Sequence, residues 1–230
     1  MDGDLRLQAL ANYETFQNND LVRRCLYLFA GTTLPGGKIG ACLFTEPEIQ
    51  VDDTDMFDYS LFFIPTLLDY YQATGDREAL QELAPTAFRQ IELAQNYFEE
   101  NGLVRDSDKL GWCFVDWNLT LNKQARAQGI YLYCVQAAEK IAAVLEDTKL
   151  AQQLHSDYMQ KRTAAELLWD PESGFYVSGD EKQISWASQV WMVLGGAAHG
   201  DSQLLARLEQ ADAVPMVTPY MYHNYIMYPE

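Results

Sequence analysis

The chain has 230 residues, of which 48% are hydrophobic and 21% charged, enough for one domain with a substantial core. Its formal net charge of −17 argues against nucleic-acid phosphates and anionic membrane surfaces as partners, and leaves neutral small molecules and sugars open. No apolar run is long enough to span a bilayer and no Lys/Arg-led signal peptide stands at the start; targeting information lying upstream would alter the cytoplasmic location this favours. The four cysteines, Cys25, Cys42, Cys113 and Cys134, are far apart and read as free thiols.

Asp4 to Phe16 predicts a first helix, with Leu7, Leu10, Ala11 and Tyr13 roughly in phase. Asn18-Asn19-Asp20 breaks it, and Asp20 is placed to cap a second helix, Leu21 to Phe29. A long loop from Gly31 ends in the acidic stretch Asp52-Asp53-Thr54-Asp55-Met56-Phe57-Asp58. The third helix, Met56 to Thr74, is apolar on nearly every side, so it belongs in the interior, and Pro65 is expected to kink it. Its first turn is expected to carry Asp55 and Asp58, where backbone N–H groups and the helix dipole hold carboxylates. Gly75-Asp76 ends it and caps a two-sided helix, Arg77 to Phe98.

The arrangement then repeats. A loop from Asn101 to Asn118 precedes a mostly apolar helix, Leu119 to Leu145, and Glu146-Asp147 turns the chain into a polar-faced helix, Thr148 to about Leu168. A loop from Trp169 to Gln183 leads to the uncharged segment Ile184 to Ala198. Gly200-Asp201 turns into Ser202 to Ala211, and a last loop precedes the aromatic segment from Tyr220 to Ile226. No strand alternation is evident. The fold class predicted is all-α, an α/α toroid of helical hairpins in which apolar inner helices pair with amphipathic outer ones. About four hairpins plus one helix make an incomplete ring, which reads as one partial domain over residues 1–230. The bare ninth helix of an unclosed ring predicts self-association or marginal stability.

The alternation of short turns with long loops places the long loops at one end of the inner ring, the candidate functional face. These loops hold Asp52, Asp53, Asp55 and Asp58; Trp112, Phe114, Asp116 and Trp117; Trp169, Asp170, Phe175 and Tyr176, with Trp186 beyond; and Tyr220, Tyr222 and His223. Aromatic faces pack against the C–H face of a pyranose, and carboxylates accept its hydroxyl hydrogens. The competing structural readings are plain: Asp116 as a helix cap, Trp117 and Trp186 as packing residues, His223 as a core histidine. Three scattered histidines supply no metal set and no cofactor is implied. Asp52-Asp53-Thr54-Asp55-Met56 departs from the DDxxD box of prenyl-diphosphate enzymes at Met56, and no second magnesium motif accompanies it. Two further classes compete: a non-hydrolytic carbohydrate-binding module and a helical-repeat scaffold, the latter disfavoured by unequal hairpins.

The run Gly3-Asp4-Leu5-Arg6-Leu7-Gln8-Ala9, the stretch from Asp53 to Tyr59, Phe114-Val115-Asp116-Trp117, Ser185-Trp186-Ala187-Ser188-Gln189 and Thr218-Pro219-Tyr220-Met221-Tyr222-His223 together resemble bacterial α-L-rhamnosidases of glycoside hydrolase family 78. The resemblance covers essentially the whole chain. It implies a six-hairpin catalytic domain hydrolysing terminal α-L-rhamnosides with inversion, by a Glu general acid and a Glu general base. Gly3-Asp4 resembles the end of the family's GWTGD segment, which makes Asp4 a contact to sugar hydroxyls. Asp116-Trp117 matches its G-D-W with Val115 in place of Gly, so that Trp117 stacks on the sugar and Asp116 orients it. Asp58 stands near its W-x-D loop with Phe57 in place of Trp. The family's general acid precedes GWTGD and its general base follows the aromatic helix, so both glutamates are expected outside this chain and the chain alone is expected to be inactive.

Overall fold

A computed structural model describes residues 2–106, 110, 112–114, 120–200 and 202–215. Eight α-helices lie among them: α1 (Asp2–Glu14), α2 (Asn19–Gly31), α3 (Phe57–Thr74), α4 (Arg77–Ala94), α5 (Gln124–Val144), α6 (Thr148–Ala165), α7 (Trp186–Leu194) and α8 (Ser202–Leu208). Two antiparallel pairs of two-residue strands interrupt the long loops: β1 (Leu43–Phe44) with β2 (Gln50–Val51), and β3 (Trp169–Asp170) with β4 (Phe175–Tyr176). The fold class is all-α, as the sequence predicts. The hairpins are an addition, too short for residue alternation to reveal. The chain divides into two compact units, one of residues 1–96 and 137–154, the other of residues 97–136 and 155–230.

The first unit is built on α3. Every residue from Phe57 to Tyr70 is buried, and α1, α2 and α4 pack around the helix. Pro65 lies inside it and removes one backbone donor; one residue on, the Thr66 hydroxyl donates to Phe62 O at 2.6 Å. Gly75, at φ +71°, ends the helix and donates to Tyr71 O. Asp76 then caps α4 by accepting from Ala79 N at 3.0 Å. Asp20 does not cap α2. The helix starts at Asn19, two residues before the predicted Leu21, Asn18 holds the cap position with no side-chain bond, and Asp20 sits in the first turn.

In the second unit, α7 carries the interior. Trp191 is 1% exposed and Met192 wholly buried. Ser185 caps the helix by accepting from Ser188 N, and Gly195 and Gly196 stop it short of the predicted Ala198. Leu103, Leu132, Leu168, Phe175, Tyr176 and Leu204 are among the residues that complete this core. Residues 115–119 lie outside the described residues, and α5 runs from Gln124, where Asn122 Oδ1 accepts from Gln124 N at 3.0 Å.

Candidate functional site

The loop from Thr32 to Met56 in the first unit brings together the charged groups of the predicted acidic site. Its first part is stitched to α4. Arg89 Nε donates to Gly36 O at 2.9 Å, and Gln90 (1% exposed) donates to Gly37 O at 2.9 Å while accepting from Ile39 N at 3.1 Å. This fixes the backbone on both sides of Lys38, whose amine contacts Asp55 Oδ1. The lysine side chain is 14% exposed and Asp55 62%. Beneath them, Asp58 is wholly buried in the first turn of α3, where its Oδ1 accepts from Tyr59 N at 3.1 Å. Asp58 therefore occupies the predicted helix start, whereas Asp55 stands before Met56, the cap residue, and faces solvent.

Burial lowers the Lys38 amine to about 8, with the nearby charge of Asp58 opposing the shift in part. Between about 8 and the ordinary 10.5 the unfolded chain binds more protons at this amine than the folded one, so stability rises with pH across that window. Below about 8 the cost of the buried charge is fully present. The gain is bounded at about 3 kcal/mol. In Lys38→Arg the guanidinium stays charged throughout. Urea midpoints of the two proteins, compared from pH 7.5 to 10.5, are expected to diverge in favour of the unaltered chain as pH rises; parallel curves would refute this.

Asp52 closes the loop on itself. Its Oδ1 accepts from Thr54 Oγ1 at 2.6 Å and Thr54 N at 2.8 Å, and these bonds hold its carboxyl below the usual range. The Cys42 thiol is pushed up by burial and further by the charges of Asp52 and Asp4. Asp4, half-buried in α1, is itself raised by burial. Lys38 thus contacts Asp55 and feels the charge of Asp58, and Cys42 feels those of Asp52 and Asp4. Sequence reading missed Lys38; its signal was a lone cation in the Gly36-Gly37-Lys38 turn of a strongly acidic region.

Asp116, Trp117 and His223, with Tyr220 and Tyr222, lie outside the described residues. Trp186 opens α7 as expected; it is half-buried against the core of the second unit, and its backbone N–H donates to Val214 O at 3.0 Å. Most rings of the 169–183 loop serve packing. Phe175 and Tyr176 are buried, and Trp169 stacks on His199 at 4.2 Å between ring centres. His199 Nε2 lies 2.9 Å from Glu166 Oε2. Asp170 is held down to about 2 by hydrogen bonds from Ser173 and Lys182, which close the β3–β4 turn. A cleft of about 860 Å³ in this unit is lined by Glu99, Asp106, Gln124, Asp180 and Lys182 among others, and contains no residue predicted for the site. Among the described residues no group of His, Cys, Asp and Glu is placed to hold a metal ion, and no helix is long and apolar enough to cross a membrane.

No protein-family model matches the chain, and no curated protein matches it. Solved structures do. A rhamnosidase from Klebsiella oxytoca with rhamnose bound is 49% identical over 98% of this chain, with a TM-score of 0.91. A family 78 rhamnosidase of a Bacillus species is 21% identical over 98% of it, with a TM-score of 0.81, and an uncharacterized conserved protein from Thermus thermophilus is 12% identical over 81% of it, with a TM-score of 0.59. The last two likenesses speak to fold alone. The chain spans 44% of the Klebsiella structure, 24% of the Bacillus one and 61% of the Thermus one. Nearly half of all positions being identical along almost the whole chain, on a common helical frame, makes it similar to part of that Klebsiella rhamnosidase.

Proposed function

We propose that the chain is the sugar-gripping part of an α-L-rhamnosidase that cleaves terminal α-L-rhamnosides with inversion. The observation that carries this is the 49% identity, over 98% of the chain, to a rhamnosidase whose structure holds rhamnose. The acidic loop supports it. Asp55 is an exposed carboxylate able to accept sugar hydroxyl hydrogens, and Lys38, backed by buried Asp58, holds it from beneath. The family resemblance extends the proposal to Asp4 as a further hydroxyl acceptor, Trp117 as the stacking ring and Asp116 as its orienting carboxylate, with Trp186 and His223 as further candidate sugar contacts. Inversion requires one carboxylic acid to protonate the leaving oxygen while a carboxylate activates water on the opposite face, the two roughly 6.5–9.5 Å apart. The residues named here bind and orient; the two proton-transfer roles belong to a separate pair of glutamates.

The test uses the whole protein that carries this chain, with an aryl α-L-rhamnoside as substrate. Release of the phenol is expected, with β-L-rhamnose as the first-formed anomer by NMR. Asp55→Ala is expected to lower kcat/KM roughly tenfold to a hundredfold, the value of a hydrogen bond to a charged group. Absence of turnover would overturn the reading, and α-L-rhamnose appearing first would overturn inversion.

A further inference from the structure

Lys38 is fixed from its backbone outward. Gly37 N donates to Leu34 O at 2.9 Å and Leu34 N to Lys38 O at 2.8 Å, a tight turn that Gly36 and Gly37 allow at φ +91° and +89°. On the other side Gln90, from α4, accepts from Ile39 N at 3.1 Å. The side chain, 14% exposed, runs from this pinned backbone to Asp55 Oδ1. Asp55 is held differently: it precedes α3 and is 62% exposed. An exposed carboxylate samples several staggered rotamers until a partner selects one. Asp58 is wholly buried in the first turn of α3 and attracts the same amine. From α4, Arg89 lies against Gly37, and its own charge is met by Glu92 at 2.7 Å. An ammonium so little exposed is weakly screened, so its pull on Asp55 exceeds that of a surface pair.

We infer that Lys38 is the positioning residue of the sugar grip, aiming the Asp55 carboxylate, and that Asp58 acts through Lys38 as its fixed counter-charge; the inference rests on the rhamnosidase reading above. The sequence predicts Asp58 as a substrate contact, but a carboxylate with no exposed surface cannot receive a hydroxyl, and its charge reaches the sugar through the amine. The hold on Asp55 needs the ammonium. Burial releases its proton at about 8, so above that pH the amine is neutral and Asp55 loses its Coulombic anchor. Asp58 opposes the release, so removing its charge brings the release to lower pH. Asp55 binds a hydroxyl that takes no part in bond cleavage, so a lost aim raises KM and leaves kcat.

Steady-state kinetics of the whole protein on an aryl α-L-rhamnoside, from pH 7 to 10, test this with Lys38→Arg and Asp58→Asn. A guanidinium stays charged throughout, and Asn keeps an oxygen to accept from Tyr59 N. KM of the unaltered protein is expected to rise about tenfold across the range. KM of Lys38→Arg is expected to stay level, and the rise in Asp58→Asn to begin at lower pH. Ionisations of the proton-transfer glutamates act alike on the unaltered protein and Lys38→Arg, so the difference between the two profiles isolates the amine. A KM rise shared by Lys38→Arg, no rise in the unaltered protein, or an Asp58→Asn rise that is unmoved or moved to higher pH overturns the inference and leaves the rhamnosidase reading standing. No turnover by the unaltered protein at any pH overturns that reading and this inference with it.

Discussion

Replacing Arg6 by Met is expected to cost about 3–5 kcal/mol of folding stability. Arg6 on α1 donates from Nε to Asp69 Oδ2 on α3 at 2.8 Å, and the two side chains are 4% and 8% exposed. Removing the guanidinium leaves a buried carboxylate without that counter-charge, and its desolvation is the larger part of the cost. The neighbouring Tyr13 hydroxyl already registers the field: burial pushes it above its usual range, with Asp69 and Tyr70 adding to the effect and Arg6 opposing it. The double variant Arg6→Met/Asp69→Leu is expected to recover most of the loss, because two well-packed apolar side chains do not incur that desolvation. Urea unfolding of the two variants checks both statements. A single variant within about 1 kcal/mol of the unaltered protein would show that the pair is not held dry.

That same pair shows where sequence reading fell short. The expected inward stripe of α1 was Leu7, Leu10, Ala11 and Tyr13, yet the buried residues are Arg6, Leu7 and Ala9, and Ala11 is exposed. A charged residue scores as outward in any periodicity count, and its partner stands 63 positions away. By contrast α3 was legible because burial on all sides leaves no polar face to misplace, and the Asp76 cap because its bond spans three residues. Helix ends at Ser185 and Gly195 were shifted by local capping that a run of apolar residues does not disclose.

The candidate site divides in the same way. Asp55 and Asp58 stand out in the sequence because four acids crowd the entrance to a buried helix, and Asp58 does lie in its first turn. Lys38 was missed because its place depends on Arg89 and Gln90 holding the loop backbone from α4, a contact more than fifty residues long. Ring content in the 169–183 loop pointed to sugar stacking, but Phe175 and Tyr176 are core residues. Aromatic composition alone does not separate a ring that packs inward from one that faces a ligand.

The second large effect concerns Gly129 on α5, which sets how closely α7 approaches. A Cβ on Gly129 would lie 2.5 Å from Trp191 C, 2.6 Å from Trp191 O and 2.8 Å from Met192 N, and one on Gly195 would lie 2.7 Å from Gly129 O. These are backbone atoms of a buried helix, so no rotamer change relieves the overlap and the helices must separate. Ala is favoured over Gly within a helix by about 1 kcal/mol, and the overpacking is expected to outweigh it, for a net loss of about 2 kcal/mol in Gly129→Ala. Trp191, buried and edge-on to Tyr133 at 5.8 Å, reports the separation as a red-shifted emission. Gly31→Ala is the control, since a Cβ there meets nothing within 4 Å, and its stability is expected to stay level or rise. If Gly129→Ala matches that control in urea midpoint and emission, the close backbone approach of the two helices does not govern the stability of this unit.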